Sequence, residues 1–245
     1  ILNSLSSQSN LAIMPEKFDH SLLTTLVADD PAVNCPAVLI SALSSHQGKT
    51  IMTAAIARMH HNAGRRVQVF KLGPDFLDPM IHECASGQPV FNLDLWMLGE
   101  GEIRQRLFRA AQTNELILIE SAMGLFDGSE GNTAADFARC FGVPILMVMQ
   151  AQGMAQSFGA LALGACQFQP DLSFSGIIAN GVGSANHLRL LQAGLSQASA
   201  ANGIELLAAV PRLESLHLPE RHLGLVQATE LSSLSSQLDT AAQAL

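Results

Sequence analysis

The sequence predicts an α/β protein built on a doubly wound, mostly parallel β-sheet. Short runs of Val, Ile, Leu and Met alternate along the chain with longer segments of helix-forming composition. Within the short runs the apolar residues are nearly continuous, which is typical of strands buried on both faces of a parallel sheet. Strands that alternate with helices in this way imply right-handed crossover connections.

Six strands and five helices are expected in order along the chain. The strands are expected at residues 37–43, 67–72, 116–119, 144–149, 176–179 and 206–210. The helices are expected at residues 50–63, 100–111, 133–141, 154–168 and 185–201, with stop signals at Gly64, Gly142 and Pro170. Ligands of such sheets bind beyond the carboxyl ends of the strands, so the residues that follow each strand form the candidate site.

The composition is that of a soluble protein with a large buried core. Of the 245 residues, 48% are hydrophobic and 14% are charged, which fits one large α/β domain and excludes global disorder. The net charge of −8 argues against nucleic acid as the main partner, because such proteins usually carry a basic face. Four scattered cysteines indicate a reducing, cytoplasmic location, and no apolar stretch is long enough to span a membrane.

The two ends of the chain differ from its middle. Residues 1–35 are expected to be a poorly structured extension or tag remnant, since they are polar and low in pattern at the start. Residues 36–230 carry the alternation of strands and helices and form the main domain. Residues 231–245 have helical composition and are expected to be a truncated linker or helix.

The first candidate site follows the first strand, in the segment SALSSHQGKT (41–50). Its last three residues lie between an apolar strand and a helix start, where the helix amides and the positive end of the helix can hold phosphates. Lys49 could bridge terminal phosphates and Thr50 could ligate Mg²⁺. The alternative is an ordinary polar turn, because a Gly-Lys-Thr triplet also occurs by chance. The nucleotide-binding candidates in this loop are Ser45, His46, Gln47, Gly48, Lys49 and Thr50.

The second candidate site follows the second strand, in the segment FKLGPDFLDP (70–79). Asp75 and Asp78 are three residues apart in a loop that Pro74 and Pro79 stiffen. Paired carboxylates beside a triphosphate usually hold Mg²⁺. The alternative is a turn in which an aspartate caps a helix that starts at Pro79. Both interpretations are compatible if Asp78 caps the helix and Asp75 faces the ligand.

The third candidate site follows the third strand, in the segment ESAMGLFDG (120–128). Glu120 ends an apolar strand, where an unpaired carboxylate would be costly, so it needs a cation or a hydrogen-bond donor. Such an acid beside a phosphate loop can anchor a metal ion. Gly124 and Gly128 would let the backbone pass close to a ligand, and Asp127 lies at the far end of the loop. The alternative is a turn rich in small residues.

Two later strand ends carry weaker candidates. Asn180 follows an apolar run at a position where a side-chain amide could read the edge of a purine. Pro211 follows the last strand and is a second candidate for contact with the nucleotide. Asn and Pro are equally common at strand ends as simple turn residues, so both interpretations stay open.

Six motifs, taken in order, resemble the cobyrinic acid (hydrogenobyrinic acid) a,c-diamide synthases, enzymes that amidate a corrin in cobalamin synthesis. The resemblance covers about residues 36–226 and implies a P-loop fold of the dethiobiotin synthetase type. Dethiobiotin synthetases share the loop and the sheet but lack GPDFLDP and LPERHLGL, which are the more specific motifs. The six motifs are SALSSHQGKT, VFKLGPDFLDPMIH, NLDLWM, ESAMGLFDG, GMAQSFGALALG and LPERHLGLV.

The resemblance implies an ATP-dependent ligase with Mg²⁺ as cofactor. ATP would phosphorylate a corrin carboxylate, and ammonia would displace the phosphate. The resemblance implies catalytic roles for Lys49, Asp75, Asp78 and Asp127. It implies a metal site at Thr50, Asp78 and Glu120, with Asn180 and Pro211 near the nucleotide. A homodimer is left open, and no nucleic acid or membrane partner is expected.

The chain departs from the family pattern in sequence and in length. The family usually has Gly at the positions of Ala42, His46 and Ser121, and often Asp at the position of Gln150. A Cβ atom in a left-handed backbone conformation costs on the order of 1 kcal/mol. The family also carries a C-terminal glutaminase domain, and this chain resembles the synthetase half alone, so free ammonia or a partner domain is expected to supply nitrogen. Two alternatives remain: a nucleotide-dependent switch ATPase of the partition or maturation type, and an inactive nucleotide-binding fragment.

Overall fold

A computed structural model describes residues 24–25, 35–202, 204–211 and 234–245. The strands are β1 (Thr24–Thr25), β2 (Pro36–Ser41), β3 (Val67–Leu72), β4 (Phe91–Leu93), β5 (Leu116–Ser121), β6 (Ile145–Gln150), β7 (Phe174–Val182) and β8 (Leu206–Pro211). The helices are α1 (Lys49–Asn62), α2 (Asp78–Ser86), α3 (Leu95–Thr113), α4 (Ala134–Phe141), α5 (Ser157–Phe168), α6 (Ala185–Asn202) and α7 (Leu234–Gln243). The motif LPERHLGLV (218–226) lies outside the described residues.

The predicted doubly wound, mostly parallel sheet is confirmed. The strands lie in the order β4-β3-β5-β2-β6-β7-β8, and all neighbours in this order are parallel. β1 pairs with β2 in the antiparallel direction. The chain moves outward from β2 in both directions, so the carboxyl end of β2 lies at the switch point where such sheets bind ligands.

All six predicted strands are present, and two further strands were not predicted. β4 has only three residues, too few to show a hydrophobic period. β1 has two residues and lies within the segment 1–35 that was expected to be an extension. The first predicted strand, 37–43, ends two residues early, at Ser41. It ends there because Ala42 already belongs to the loop, where its carbonyl accepts a hydrogen bond from the Leu125 amide at 2.7 Å.

The five predicted helices are also present, and all but α6 start at a different residue from the predicted one. α3 begins at Leu95 and is interrupted at Gly99, whose φ of 72° is non-helical, so the prediction from residue 100 found only its second part. α5 begins at Ser157 instead of residue 154. The stop signal at Gly142 is confirmed, because Gly142 caps α4 in the left-handed conformation. α2, considered only as the alternative for Asp78, is a helix of nine residues.

The helices cover both faces of the sheet and enclose two apolar layers. α1, α2 and α7 pack on one face, where Met52, Ile81 and Leu238 belong to one cluster of buried residues. α3, α4, α5 and α6 pack on the other face, where Phe137 and Phe158 belong to the second cluster. Burying one such large apolar side chain stabilises the fold by about 1.5–3 kcal/mol. None of the described helices is both long and apolar enough to cross a membrane.

α7 is held against α1 by a cluster of polar contacts as well as by apolar packing. Arg58 donates two hydrogen bonds to the Asp239 carboxylate, at 2.7 and 3.2 Å. Asn62 donates a third, at 3.0 Å, and Ser235 accepts from Arg58 at 3.0 Å. The Arg58 and Asn62 side chains lower the pKa of Asp239 to about 2. α7 therefore packs directly on the helix that begins at Lys49, although the boundary at residue 231 stays a prediction.

The Arg58–Asp239 pair is expected to stabilise the fold modestly and in a pH-dependent way. Because Asp239 is partly exposed, a double-mutant cycle with Arg58→Met and Asp239→Asn should give a coupling free energy of about 0.5 kcal/mol. A lowered folded-state pKa stabilises the fold above the unfolded-state pKa of about 4, and this is lost as pH falls toward 2. Urea unfolding of the four proteins of the cycle at neutral pH and at pH ~3 measures the coupling free energy and its change with pH. A coupling that grows on acidification would contradict the assignment.

Candidate active site

The loop 42–48 connects β2 directly to α1, and Gly48 makes this connection possible. Gly48 caps the helix in the left-handed conformation, with φ 97°, and no side chain caps the helix amides. A Cβ atom at Gly48 would lie 2.3 Å from Nδ2 of Asn180, so only glycine fits. The amino end of α1 thus presents uncapped backbone N–H groups and a positive dipole beside Lys49, which suits a phosphate group.

Two side-chain amides tie this loop to the neighbouring strands. Asn180 Nδ2 donates to the backbone carbonyl of Gln47 at 3.0 Å, and the side-chain Oε1 of Gln47 accepts from the backbone N–H of Gln150 at 2.7 Å. Asn180 lies in β7 and Gln150 ends β6, so the loop is fixed to both. In this structure Gln47 and Asn180 brace the loop, and Asn180 as a purine contact stays a prediction.

His46 takes the strained conformation that its position in the loop requires. Its φ is 62°, and among the described residues it is the only non-glycine residue with a positive φ. Ser45 and His46 are both exposed at the outer edge of the loop. The strain costs on the order of 1 kcal/mol, which the hydrogen bonds of Gln47 and Asn180 can offset.

Lys49 is buried at the inner side of the loop. Its ammonium group donates to the Ser44 carbonyl at 3.1 Å, so the side chain folds back over the loop. Burial lowers the pKa of Lys49, and Lys71 adds to this, while Glu120, Asp78 and Asp127 act in the opposite direction. Asp127 therefore acts on Lys49 through its charge. A Cβ atom at Gly124 would lie 2.3 Å from Asp127 Oδ2, so that glycine leaves room for this carboxylate.

A compact ionic cluster lies where β3, β5 and α1 meet. Lys71 Nζ lies 2.6 Å from Asp78 Oδ2 and 3.1 Å from Glu120 Oε1. Thr50 Oγ1 donates to Glu120 Oε1 at 2.8 Å and lies 3.2 Å from Asp78 Oδ2. The parallel register pairs Lys71 with Glu120, so their side chains leave adjacent strands side by side. The expectation that Glu120 needs a cation or a donor is thus met by Lys71 and Thr50.

The charges in this cluster stabilise one another. Burial alone would raise the pKa of Asp78 and Glu120, but the nearby cation Lys71 outweighs it for Asp78, and His82 with Lys71 outweighs it for Glu120, so both pKa values are lowered. Burial would likewise lower the pKa of Lys71, but Glu120, Asp78 and Asp75 raise it. The cluster is therefore ionised at neutral pH, with its carboxylates able to accept a cation.

Asp75, and not Asp78, takes the capping role at the start of α2. Asp75 Oδ1 accepts from the backbone amides of Leu77 and Asp78, at 3.0 and 3.2 Å, and so fixes the turn that leads into α2. Asp78 is the first residue of α2, and its carboxylate points to Lys71 and Thr50. Asp75 Oδ2 still lies 3.9 Å from Lys71 Nζ, at the margin of the cluster. Asp75 can cap this turn because it lies three residues before the first residue of α2, where its carboxylate reaches the free amides.

Sequence reasoning missed Lys71 and His82. Lys71 is 1% exposed, and its signal was a charged residue within the apolar strand VQVFKL. His82 Nε2 contacts Glu120 Oε2 and both side chains are fully buried. His82 lies four residues after Asp78 on α2, so both face the same side of the helix. The four-residue spacing of Asp78 and His82 is visible in the sequence, but it places the two side chains on one face only if the segment is a helix, and a helix there was only one of two interpretations.

The donor set of this cluster fits Mg²⁺. Mg²⁺ is usually held by one or two carboxylates together with waters and substrate phosphates. Thr50, Asp78 and Glu120 offer a hydroxyl and two carboxylates directly beside the phosphate loop. No group of three or more His, Cys, Asp or Glu side chains in the described part of the chain is arranged to hold a metal by itself. A metal here would therefore depend on phosphate oxygens for the rest of its ligands.

Four large apolar side chains are exposed at the same edge of the sheet. Phe76, Trp96, Met97 and Met123 are 80%, 81%, 68% and 50% exposed, and they follow β3, β4 and β5. Hydrogen bonds join these three loops, from the Gly73 amide to the Leu93 carbonyl at 2.7 Å and from the Ala122 amide to the Leu72 carbonyl at 3.1 Å. We call these four side chains the apolar rim.

Pro211 lies at the end of β8, the edge strand, with β6 and β7 between it and β2. The structure thus brings together Lys49, Thr50, Asp78, Glu120 and Asp127, places Asp75 beside them, and leaves Pro211 farther along the sheet edge. Its contact with a nucleotide stays a prediction. Ser121, at a position where glycine was expected, forms a buried contact with Ser41 at 2.8 Å between Oγ atoms and donates to the Met123 carbonyl at 2.9 Å.

Curated relatives match this chain over part of their length. A hydrogenobyrinate a,c-diamide synthase from Stutzerimonas stutzeri is 56% identical over 212 residues, which cover 86% of this chain and 48% of that protein. A cobyrinate a,c-diamide synthase from Herminiimonas arsenicoxydans is 44% identical over 214 residues, which cover 87% of this chain and 47% of that protein. The chain therefore spans about half the length of these relatives.

Solved structures show the same fold at low identity. A MinC:MinD cell division protein complex from Aquifex aeolicus aligns with a TM-score of 0.50 and 11% identity, covering 85% of this chain and 91% of that one. The signal recognition particle 54 kDa protein from Aeropyrum pernix aligns with a TM-score of 0.50 and 17% identity, covering 87% and 50%. A family profile described as the CobQ/CobB/MinD/ParA nucleotide binding domain matches residues 38–226. Together with the phosphate loop, this match shows that the chain belongs to the CobQ/CobB/MinD/ParA nucleotide-binding domain family.

Proposed function

We propose that this chain is the ATP-binding synthetase part of a ligase that amidates the a and c carboxylates of cobyrinic or hydrogenobyrinic acid. The observation that carries this proposal is the ionic cluster of Lys71, Asp78, Glu120 and Thr50 beside the phosphate loop. The names of the relatives, at 56% and 44% identity, supply the substrate class.

The proposed chemistry has two steps. A substrate carboxylate oxygen attacks the γ-phosphorus of ATP, the bond to the bridging oxygen breaks, and ADP leaves. Ammonia then attacks the acyl carbon, inorganic phosphate leaves with the bonding electrons, and a proton is lost to give the amide. Both steps bring anions together, so fixed cations and amide donors are needed to neutralise them.

The residues of the chain would divide this work by position. Lys49 and the amides of α1 would bind the β- and γ-phosphates, and Asp127 would help to orient the substrate carboxylates. Thr50, Asp78 and Glu120 would hold Mg²⁺, which when bound supplies positive charge to the phosphoryl group undergoing transfer. Asp75 would fix the turn that presents Asp78. His82 would orient Glu120.

The apolar rim supports a large, partly apolar substrate. Monomeric proteins rarely expose several large apolar side chains together unless they bind something there. Phe76 and Met123 lie in the loops that follow β3 and β5, the strands that carry Lys71 and Glu120, so a macrocycle resting on the rim could direct a side-chain carboxylate toward the phosphate site. We assign the rim to the face of the corrin.

The nitrogen source is proposed to be free ammonia or a partner glutaminase domain. All four cysteines lie within the described residues as free thiols, and burial raises the pKa of Cys35 and Cys166 to about 11, with a smaller contribution from Glu115 for Cys35. Such thiols are poor nucleophiles at neutral pH. Glutamine hydrolysis by this purified chain would contradict this part of the proposal. A cytoplasmic location and a homodimer likewise stay predictions.

ADP release measured with and without a corrin carboxylate, in the presence of ammonium and Mg²⁺, tests the proposed function. Corrin-dependent ADP release together with amide formation, seen by mass spectrometry, is the expected result. Turnover that does not depend on the corrin would instead favour a switch ATPase of the partition or maturation type. No turnover under any condition would indicate an inactive nucleotide-binding fragment.

Trp96→Ala is expected to raise KM for the corrin about tenfold or more, because it removes an aromatic contact worth about 1.5–3 kcal/mol when buried. KM for ATP should not change. Leu161→Ala is the matched control, since Leu161 is also exposed but lies on α5, which carries none of the proposed site residues. Trp96 is the sole tryptophan and the chain has no tyrosine, so protection of its fluorescence from acrylamide reports corrin binding directly. Equal acrylamide quenching with and without corrin would count against the rim.

A further inference from the structure

Lys71 occupies the position that joins the two carboxylates of the proposed metal site. Its nitrogen lies 2.6 Å from Asp78 Oδ2 and 3.1 Å from Glu120 Oε1, and the side chain is 1% exposed. The chain has three lysines in all, Lys17, Lys49 and Lys71, and two of them lie in this site. A buried ammonium group is stable only when it is paired in this way.

The oxygens that Lys71 contacts are the oxygens that a divalent cation would need. Thr50 Oγ1 lies 2.8 Å from Glu120 Oε1 and 3.2 Å from Asp78 Oδ2, so it is aimed at the same two atoms as Lys71. The other oxygen of Glu120 is engaged by His82 Nε2. Mg²⁺ binds oxygen at about 2.0–2.1 Å, so an ion on Glu120 Oε1 would lie very close to the Lys71 nitrogen. Two cations at that separation repel strongly in a buried site.

Lys71 also lies close enough to the phosphate loop to exchange partners. Lys71 and Lys49 act on each other through their charges, and Lys49 begins the helix whose amino end faces the phosphates. The lysine stem has four rotatable carbons, so its ammonium group can move by several ångströms while β3 stays fixed. A phosphate oxygen beside the loop would replace the negative charge that Lys71 gives up.

We propose that Lys71 and the divalent cation compete for Asp78 Oδ2 and Glu120 Oε1, and that the displaced Lys71 ammonium binds a phosphate oxygen. This inference rests on the proposed function for the presence of a metal and a nucleotide. It adds that Lys71 couples binding of the metal to binding of the nucleotide. Metal then binds the protein tightly only together with the nucleotide, because only the nucleotide provides a new partner for Lys71.

Binding of Mn²⁺ in the absence of nucleotide, measured by isothermal titration calorimetry, tests this competition. Lys71→Met should bind Mn²⁺ about tenfold or more tightly than the unmodified chain, since a buried competing charge is gone. Lys71→Gln is a second variant of this kind, and circular dichroism checks that each is folded. Lys71→Arg keeps the charge and should bind Mn²⁺ no more tightly than the unmodified chain.

Lys49→Met is the matched control, because it also removes a buried lysine charge from the site. The Lys49 ammonium contacts the Ser44 carbonyl and not the carboxylates, so this variant should increase Mn²⁺ affinity much less than Lys71→Met. Equal increases would show a general effect of charge and would overturn the competition. An unchanged or weaker Mn²⁺ affinity in folded Lys71→Met or Lys71→Gln would also overturn it.

A measurement on the unmodified chain covers the case in which neither neutral variant folds. With ¹³C-labelled lysine the chain should give three Cε signals, and Lys71→Arg assigns the one from Lys71. The Lys71 signal should shift when Mg²⁺ is added with a non-hydrolysable ATP analogue. An unmoved Lys71 signal while the Lys49 signal shifts would contradict the proposal. If neither signal moves, the nucleotide does not bind, and both the proposed function and this inference fail. The calorimetry with Mn²⁺ alone contains no nucleotide, so a contrary result there overturns the inference and leaves the proposed function standing.

Discussion

Replacing Lys49 with alanine is expected to abolish ATP turnover by this chain. The Lys49 ammonium lies at the inner side of the loop, next to the amino end of α1, and is the cation that we propose binds terminal phosphates. Removing one fixed charge that stabilises a developing anion typically lowers kcat by about 10²–10³-fold. The rate of corrin-dependent ADP release at saturating ATP measures the effect.

Arg189→Ala is the control for the loss of charge at Lys49. Arg189 is exposed on α6 and donates to Asn186, so its removal changes the net charge equally without reaching the site. Its turnover should equal that of the unmodified chain. A folded Lys49→Ala variant that retains turnover would mean that the loop assignment is wrong.

The second large effect is expected for Glu120→Gln. Glu120 is fully buried and is contacted by Thr50, Lys71 and His82, so its charge balances the Lys71 ammonium group and completes the proposed metal site. We expect kcat to fall by about 10²-fold or more. We also expect a loss of about 1–3 kcal/mol in the free energy of unfolding, because the buried Lys71 ammonium group loses one of its counterions. Urea unfolding and ADP release measure the two effects separately.

Glu115→Gln is the matched control, at the opposite end of the same strand. Glu115 is exposed just before β5 and accepts from the Arg66 amide at 3.0 Å. Its replacement should leave kcat unchanged and alter stability by about 0.5 kcal/mol or less. Similar losses of activity in both variants would point to the strand and not to the charge at Glu120.

The sequence predicted the sheet well because burial on both faces of a parallel strand demands a continuous apolar run. β3, β5 and β6 were recognised this way, and their bounds agree with the prediction to within two residues. Elements without such a run were missed. β4 has three residues, and α2 begins with Asp-Pro in a stretch that also satisfied the description of a turn.

The sequence also predicted that the candidate residues would lie near one another, since parallel strands bring their carboxyl ends to one edge of the sheet. It could not assign the individual roles there. Asp75 and Asp78 are both aspartates in the same short loop, so the sequence offered no reason to separate their roles. The start of α2 separates them, because Asp75 accepts from backbone amides while Asp78 faces Lys71. The sequence also could not decide whether His46 takes the left-handed backbone conformation at a position where the family usually has glycine. The structure shows that it does, with a φ of 62°.

Local chemistry in the sequence determined the phosphate loop, the sheet and the acidic loops, because these depend on residues close together in the chain. The tertiary structure alone decided that Lys71, Asp78, His82 and Glu120 form one cluster. Lys71 and Glu120 are 49 residues apart and meet only because the register of β3 and β5 sets them side by side. Strand register arises from packing across the whole sheet, so a single segment does not encode it.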